Sequence, residues 1–116
     1  MKTMKNAGNF KKGSVELVVL KILQLYGDCY GYQISQLITS LSDDILQIPE
    51  GSLYPTLYKL QEQGLVSDYR KKIGKRLIRV YYHLEAAGLQ RLHELTEEYY
   101  QINRGIQMII SAEPSD

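Results

Sequence analysis

The stretch EGSLYPTLYKLQEQG, residues 50–64, sets a proline inside a run whose leucines are spaced like those of a helix. Leu53, Leu57 and Leu60 recur at steps of four and three, which puts them on one helical face. Pro55 has no N–H and its ring crowds the preceding turn, so it is tolerated in a helix's first turn, where the N–H has no intrahelical partner. With Ser52 as the cap, Pro55 falls at the third helical position and marks a helix start. Gly64 supplies the stop expected of a C-terminal glycine. Ser52, Pro55, Thr56, Lys59 and Gln63 are left on the outer face, with Tyr54 and Tyr58 one turn apart at its margin. A helix that buries only its leucines keeps a short polar and aromatic face free for contact.

Upstream, Val15, Val18, Val19, Ile22 and Tyr26 recur at helical spacing, with Ser14 as the expected cap, Glu16 favoured in the first turn and Gly27 as the stop. A second helix begins near Gly31 or Tyr32, carries the stripe Ile34, Leu37, Ile38 and Leu41, and ends at Ser42, Asp43 and Asp44. Ile45, Gln47 and Ile48 suggest a short strand before Pro49. Downstream the period changes to two. Residues 66–72 and 77–84 read as the arms of a β-hairpin with Ile73, Gly74 and Lys75 at its tip. On the second arm Ile78, Val80, Tyr82 and Leu84 share one face, and Arg79, Tyr81 and His83 the other. Beyond Gly88 a long helix runs to about Ile110, in which Leu92, Leu95, Tyr99, Ile102, Ile106 and Ile109 alternate steps of three and four. That seam is the pattern of a helix packing along another helix. Gly105 interrupts it and weakens the helix locally by about 1 kcal/mol relative to alanine.

At 116 residues and 44% apolar content the chain fits one small domain with an appended element and leaves no room for a second, enzyme-sized one. Its 14 basic and 13 acidic residues nearly cancel, so the distribution of charge is what informs. Lys2, Lys5, Lys11 and Lys12 precede any acid, and Arg70, Lys71, Lys72, Lys75, Arg76 and Arg79 share a stretch without one. Asp43 and Asp44 lie mid-chain; Glu94, Glu97, Glu98, Glu113 and Asp116 lie near the end. This dipolar layout suits a protein that meets an anion on one side. Cys29 is the one cysteine and cannot form an internal disulfide, which favours a reducing cytoplasm. The lysine-rich start has no apolar segment behind it, and no apolar run approaches the ~20 residues of a bilayer span, so a soluble protein without membrane attachment is expected.

The order helix, helix, short strand, helix, basic hairpin, long helix is mainly α with a small β-hairpin, and it is the order of a winged helix-turn-helix. Its third helix would enter the major groove of duplex DNA while the wing lies along phosphates. The expected organisation is a basic N-terminal arm (1–13), a winged helix-turn-helix DNA-binding domain (14–84), a C-terminal dimerisation helix (85–112) and a tail (113–116). Candidate DNA contacts are Tyr32 and Gln33 on the second helix, Ser52, Tyr54, Pro55, Thr56 and Lys59 on the third, and Arg70, Lys71, Lys72, Lys75, Arg76 and Arg79 on the wing. Candidate dimer contacts are Leu92, Leu95, Tyr99, Ile102, Ile106 and Ile109.

Each assignment has a plainer competitor. Tyr54 also fits a half-buried core position, and hairpin cations such as Lys71 and Lys72 also serve as a solvated edge that resists aggregation. The seam of the last helix could pack against its own domain, although the first three helices already have their own apolar stripes to cover. Tyr99 and Tyr100 suit an interface as well as an effector pocket. Cys29 reads as a small structural thiol, and His83 and His93 have no partners at metal spacing, so neither a metal nor a cofactor is expected. No phosphate-binding glycine loop, Ser-His-Asp set or carboxylate cluster argues for catalysis. The alternative to a duplex-DNA regulator is a winged-helix module that binds protein or RNA without operator specificity, and it would lack the steep salt dependence of duplex binding.

GSLYPTLYKLQEQGL at 51–65, preceded by GYQI at 31–34 and followed by RVYYHL at 79–84 and Gly88, resembles the PadR family of bacterial transcriptional regulators. The resemblance extends from about Ser14 to the end of the last helix. It implies a homodimeric winged-helix repressor on a pseudo-palindromic operator, released by a small effector. The single C-terminal helix is similar to the family's short subgroup, in which that helix makes the dimer and some members bind flat aromatic or cationic drugs between the subunits. By that resemblance Val15, Tyr99 and Tyr100 are candidate contacts for a small hydrophobic or aromatic effector. One departure is Glu85, where the family usually has a threonine able to cap the last helix.

Overall fold

Leucine burial organises the fold, as seen in a computed structural model that describes residues 13–115. The elements are α1 (Ser14–Tyr26), β1 (Cys29–Tyr30), α2 (Gly31–Leu41), α3 (Glu50–Glu62), β2 (Val66–Ile73), β3 (Leu77–Leu84) and α4 (Ala86–Ile110). Val19 and Leu20 of α1, Ile34 of α2, Leu53, Leu57 and Leu60 of α3 and Leu92 of α4 are fully enclosed in one core. Each such side chain contributes roughly 1.5–3 kcal/mol by leaving water. Most of the basic arm lies outside the described residues.

Three boundaries differ from the sequence expectation. Ser14 opens α1 as a helical residue, and Gly13, at φ +95°, takes the cap position without any side-chain cap. The buried face is also rotated: Leu20 and Leu23 are enclosed, whereas Tyr26 is exposed. Second, α3 starts at Glu50, because the Pro49 carbonyl accepts from the Ser52 and Leu53 N–H groups at 2.9 and 3.0 Å. Ser52 is therefore inside the helix and Pro55 sits in its second turn. The bond that the proline removes is the one to the Gly51 carbonyl, on an exposed part of the helix where solvent can take its place. Third, α4 begins at Ala86 and not after Gly88. Gly88 lies in its first turn, where a Cβ would strike the Leu65 carbonyl and the Leu84 side chain, so only glycine lets α4 approach the root of the wing this closely. Glu85 precedes the helix without capping it; its carboxylate accepts from the Ser67 hydroxyl at 2.6 Å.

Residues 45–48 do not form the short strand expected of them. They join α2 to α3, held by the Ser42 hydroxyl, which donates to the Ile38 carbonyl at 2.8 Å and accepts from the Leu46 N–H at 3.0 Å. The third strand is β1, which pairs antiparallel with β3 through Cys29↔Tyr82 and Tyr30↔Tyr81 to give the sheet order β1-β3-β2. β3 has a free edge after pairing with β2, and the turn leaving α1 reaches it.

At the end of α3, the Gly64 N–H bonds to the Gln61 carbonyl and the Leu65 N–H to the Leu60 carbonyl, both at 2.9 Å. With Gly64 at φ +74°, this double closure turns the chain directly into β2. β2 and β3 then run in register from Val66↔Leu84 to Ile73↔Leu77, closed by a turn with Gly74 at φ +66°.

Candidate nucleic-acid interface

With Leu53, Leu57 and Leu60 inward, α3 leaves Ser52, Pro55, Tyr58 and Lys59 exposed and Tyr54 and Thr56 half-buried. Tyr54 lies across Gly31, the first residue of α2, and its ring tilts against Tyr58 with centroids 6.3 Å apart. Burial raises the Tyr54 hydroxyl pKa. Tyr82, enclosed on the inner face of β3, is pushed up to about 12 by burial first and by the nearby Tyr58 and Tyr54 hydroxyls second, so it stays protonated. The Thr56 hydroxyl donates to the Ser52 carbonyl at 2.9 Å, which fixes its rotamer along the helix.

The wing divides its cations between two faces. Residues opposite one another in an antiparallel pair share a face, so Lys71 and Arg79 stand together with Tyr69, Tyr81 and His83, while Arg70 and Lys72 stand with Val80 and Ile78. Lys75 and Arg76 are exposed in the turn. On the first of these faces the tyrosines form a row across all three strands. Tyr69 stacks on Tyr81 at 5.7 Å, and Tyr81 meets Tyr30 edge-on at 5.6 Å. The Arg79 guanidinium lies 4.3 Å from the Tyr30 ring centre and the Lys71 ammonium 5.5 Å from that of Tyr81. Asp28 closes the row by accepting from the Tyr69 hydroxyl and pairing with His83 Nδ1, each at 2.8 Å. The hydrogen bond to His83 holds the Asp28 carboxyl below its ordinary value, and the same bond holds His83 above its own.

Behind these surfaces, α4 buries side chains in its N-terminal half and leaves the rest open. Leu92 is 2% exposed and Leu95 packs on the core, but Tyr99, Tyr100, Ile102, Ile106, Met108, Ile109 and Ile110 stand open, Ile109 at 77%. A mostly apolar cleft of about 570 Å³ lies between α1, α2 and α4, lined among others by Leu17, Val18, Ile22, Ile38, Tyr99 and Tyr100. A second, of about 410 Å³, includes Leu17, Leu95, Tyr99, Ile102 and Ile106. Among the described residues no group of three or more His, Cys, Asp or Glu could hold a metal ion, and no helix is long and apolar enough to cross a membrane.

Residues 19–94 match the transcriptional regulator PadR-like family. The chain belongs to that family. It is 34% identical to the transcriptional regulator YqjI of Escherichia coli over 84% of its own length, and spans 45% of that longer protein. The structure of a transcriptional regulator from Clostridium thermocellum superimposes with a TM-score of 0.79 at 28% identity, covering 86% of this chain and 96% of that one. Bacillus subtilis PadR, solved in complex with operator DNA, shares the fold at 21% identity with a TM-score of 0.64, over 89% of this chain and 50% of that one. PadR-like proteins are transcription factors, not enzymes.

Within this PadR-like frame the candidate residues separate. Tyr32, Ser52, Pro55, Arg70, Lys71, Lys72, Lys75 and Arg76 are exposed. Gln33 is turned inward along its own helix: its side-chain oxygen accepts from the Tyr30 N–H at 3.4 Å and helps to close the start of α2. Lys59 is paired with Glu16 of α1 at 3.0 Å, so it is not the free cation that the sequence suggested. Leu92 belongs to the chain's own core and is removed from the dimer set, because the first turns of α4 lie against α1. Val15 is buried and lines neither cleft; Leu17 and Val18 do. Glu16, Asp28, Tyr30, Tyr69 and Tyr81 had no sequence signal as a group, since their partners are 41 to 55 residues apart or joined only by strand register.

Proposed function

We propose that this PadR-like protein is a homodimeric, sequence-specific DNA-binding repressor acting in the cytoplasm on a pseudo-palindromic operator. The observation that carries the reading is the division of α3, whose Leu53, Leu57 and Leu60 are enclosed while Ser52, Pro55 and Tyr58 face outward beside a wing bearing Lys75 and Arg76. α3 supplies the face that reads base edges in the major groove, and the wing cations neutralise adjacent phosphates without reading sequence. The open apolar row Tyr99, Ile102, Ile106 and Ile109 supports pairing of two chains through α4, which would set two α3 helices about one helical turn apart on the duplex. A small hydrophobic or aromatic effector fits the cleft beside Tyr99 and Tyr100, where binding would bias the relation of α4 to α1 and so release the operator.

Selection of bound duplexes from a random pool tests the reading directly. The expected product is an inverted repeat with half-sites about one helical turn apart, bound with an affinity that falls steeply with salt. Recovery of no common sequence, with binding insensitive to salt, would overturn it in favour of a winged-helix module that engages protein.

A further inference from the structure

Glu16 sits in the first turn of α1 and Lys59 near the end of α3, and their side chains meet at 3.0 Å across the two helices. The carboxylate is mostly covered, with 14% of its side chain exposed, and the ammonium half open at 48%. Lys59 is the only basic residue of α3, which also carries Glu50 and Glu62. Glu16 lies in the N-terminal turn of α1, where a negative charge complements the helix dipole, and its carboxylate faces the lysine. A phosphate approaching α3 therefore meets an ion pair of zero net charge in place of a free cation.

We propose that Glu16 is a specificity-determining residue: by neutralising Lys59 it strips the recognition helix of sequence-independent attraction to phosphate. This rests on α3 being the face that meets DNA. Counterion release, which drives binding to any duplex, is then left to the wing, and α3 contributes only where its short polar and aromatic groups fit the bases. Removing the acid while keeping its shape frees one ammonium per chain, and that ammonium contacts phosphate in every sequence alike.

The test compares unaltered protein, Glu16→Gln, Lys59→Met and the double variant for binding to a random-sequence duplex and to duplexes selected from a random pool. Glu16→Gln should bind the random duplex several-fold more tightly at low salt, and its salt slope should steepen by about 0.9 per chain. Between roughly 50 and 200 mM salt that adds about a threefold further loss of affinity per chain. The ratio of selected to random affinity should fall. The double variant, which restores zero net charge at this position, should return both affinity and slope to those of the unaltered protein. A Glu16→Gln protein with the original random-duplex affinity and slope overturns this inference alone, as does a double variant whose slope is shallower than that of the unaltered protein. The double variant decides the matter if Glu16→Gln alone does not fold. Loss of any salt-dependent duplex binding by the unaltered protein would instead overturn the DNA reading on which the inference stands.

Discussion

The ring of Tyr54 occupies the space that a side chain at Gly31 would fill, so α2 and α3 approach closely where these two residues meet. Gly31→Ala must displace the ring, and we expect a loss of about 1–3 kcal/mol, the usual range for overpacking. Urea unfolding would measure it. Tyr54→Ala made in the Gly31→Ala background should cost less than it does alone, because the clash has gone; full additivity in that double-mutant cycle would show that the two residues do not press on each other.

The Asp28–His83 pair makes stability depend on pH in a defined window. His83 is raised above its ordinary 6.5, mainly by its hydrogen bond to Asp28, and Glu85 adds to the shift; its stabilisation is complete below pH 6.5 and is lost as pH rises through the raised value. Asp28 is lowered from 3.8, mainly by the bond to His83 with Tyr69 adding to it, so its contribution is present above 3.8 and is lost as pH falls through the lowered value. The pair therefore acts at full strength between pH 3.8 and 6.5. Both groups are partly exposed, so the effect should stay under about 1 kcal/mol. Melting temperatures should drift down as pH rises above 6.5 in the unaltered protein, and Asp28→Asn should flatten that drift. An equal drift in both proteins would place its origin elsewhere.

Lys75 and Arg76 stand exposed in the wing turn, and among the described residues neither is paired with an acid. Replacing both with alanine should weaken binding to selected and random duplexes alike and reduce the salt slope by roughly 0.9 for each phosphate that is no longer neutralised. Titration across salt concentrations separates this from a failure of sequence reading. A variant that loses discrimination while keeping its slope would mean that the tip reads bases.

The leucines of α3 were legible because a helical period needs nothing beyond local spacing: Leu53, Leu57 and Leu60 are as inward as their intervals demand. The wing was legible for the same reason at period two: Tyr82 is buried on the expected face of β3, although Ile78 of the same face is exposed near the tip. β1 was not legible, since two residues carry no period and Cys29 and Tyr30 are strand only because β3 offers them an edge. The start of α3 was misjudged because Ser52 is a better cap by type than Pro49, yet it is the Pro49 carbonyl that receives the first helical N–H groups. Glu16 as the partner of Lys59 lay beyond any sequence pattern, being 43 residues away.

The last helix has a buried and an open part that substitution should separate. Leu92 is enclosed by the chain's own core, whereas Ile106, four turns further along the same helix by spacing, is 44% exposed. Leu92→Ala should therefore act on folding, with a loss of about 2–5 kcal/mol visible in urea unfolding of either monomer or dimer. Ile106→Asp places a charge on an exposed position, where it costs a lone chain little, but in a paired helix face it would be buried without a partner. Sedimentation equilibrium should find Ile106→Asp monomeric and still folded by circular dichroism, with weakened binding to a two-half-site duplex. A dimer that survives this substitution would show that two chains meet through another surface, and the exposed row from Tyr99 to Ile109 would then need a different partner.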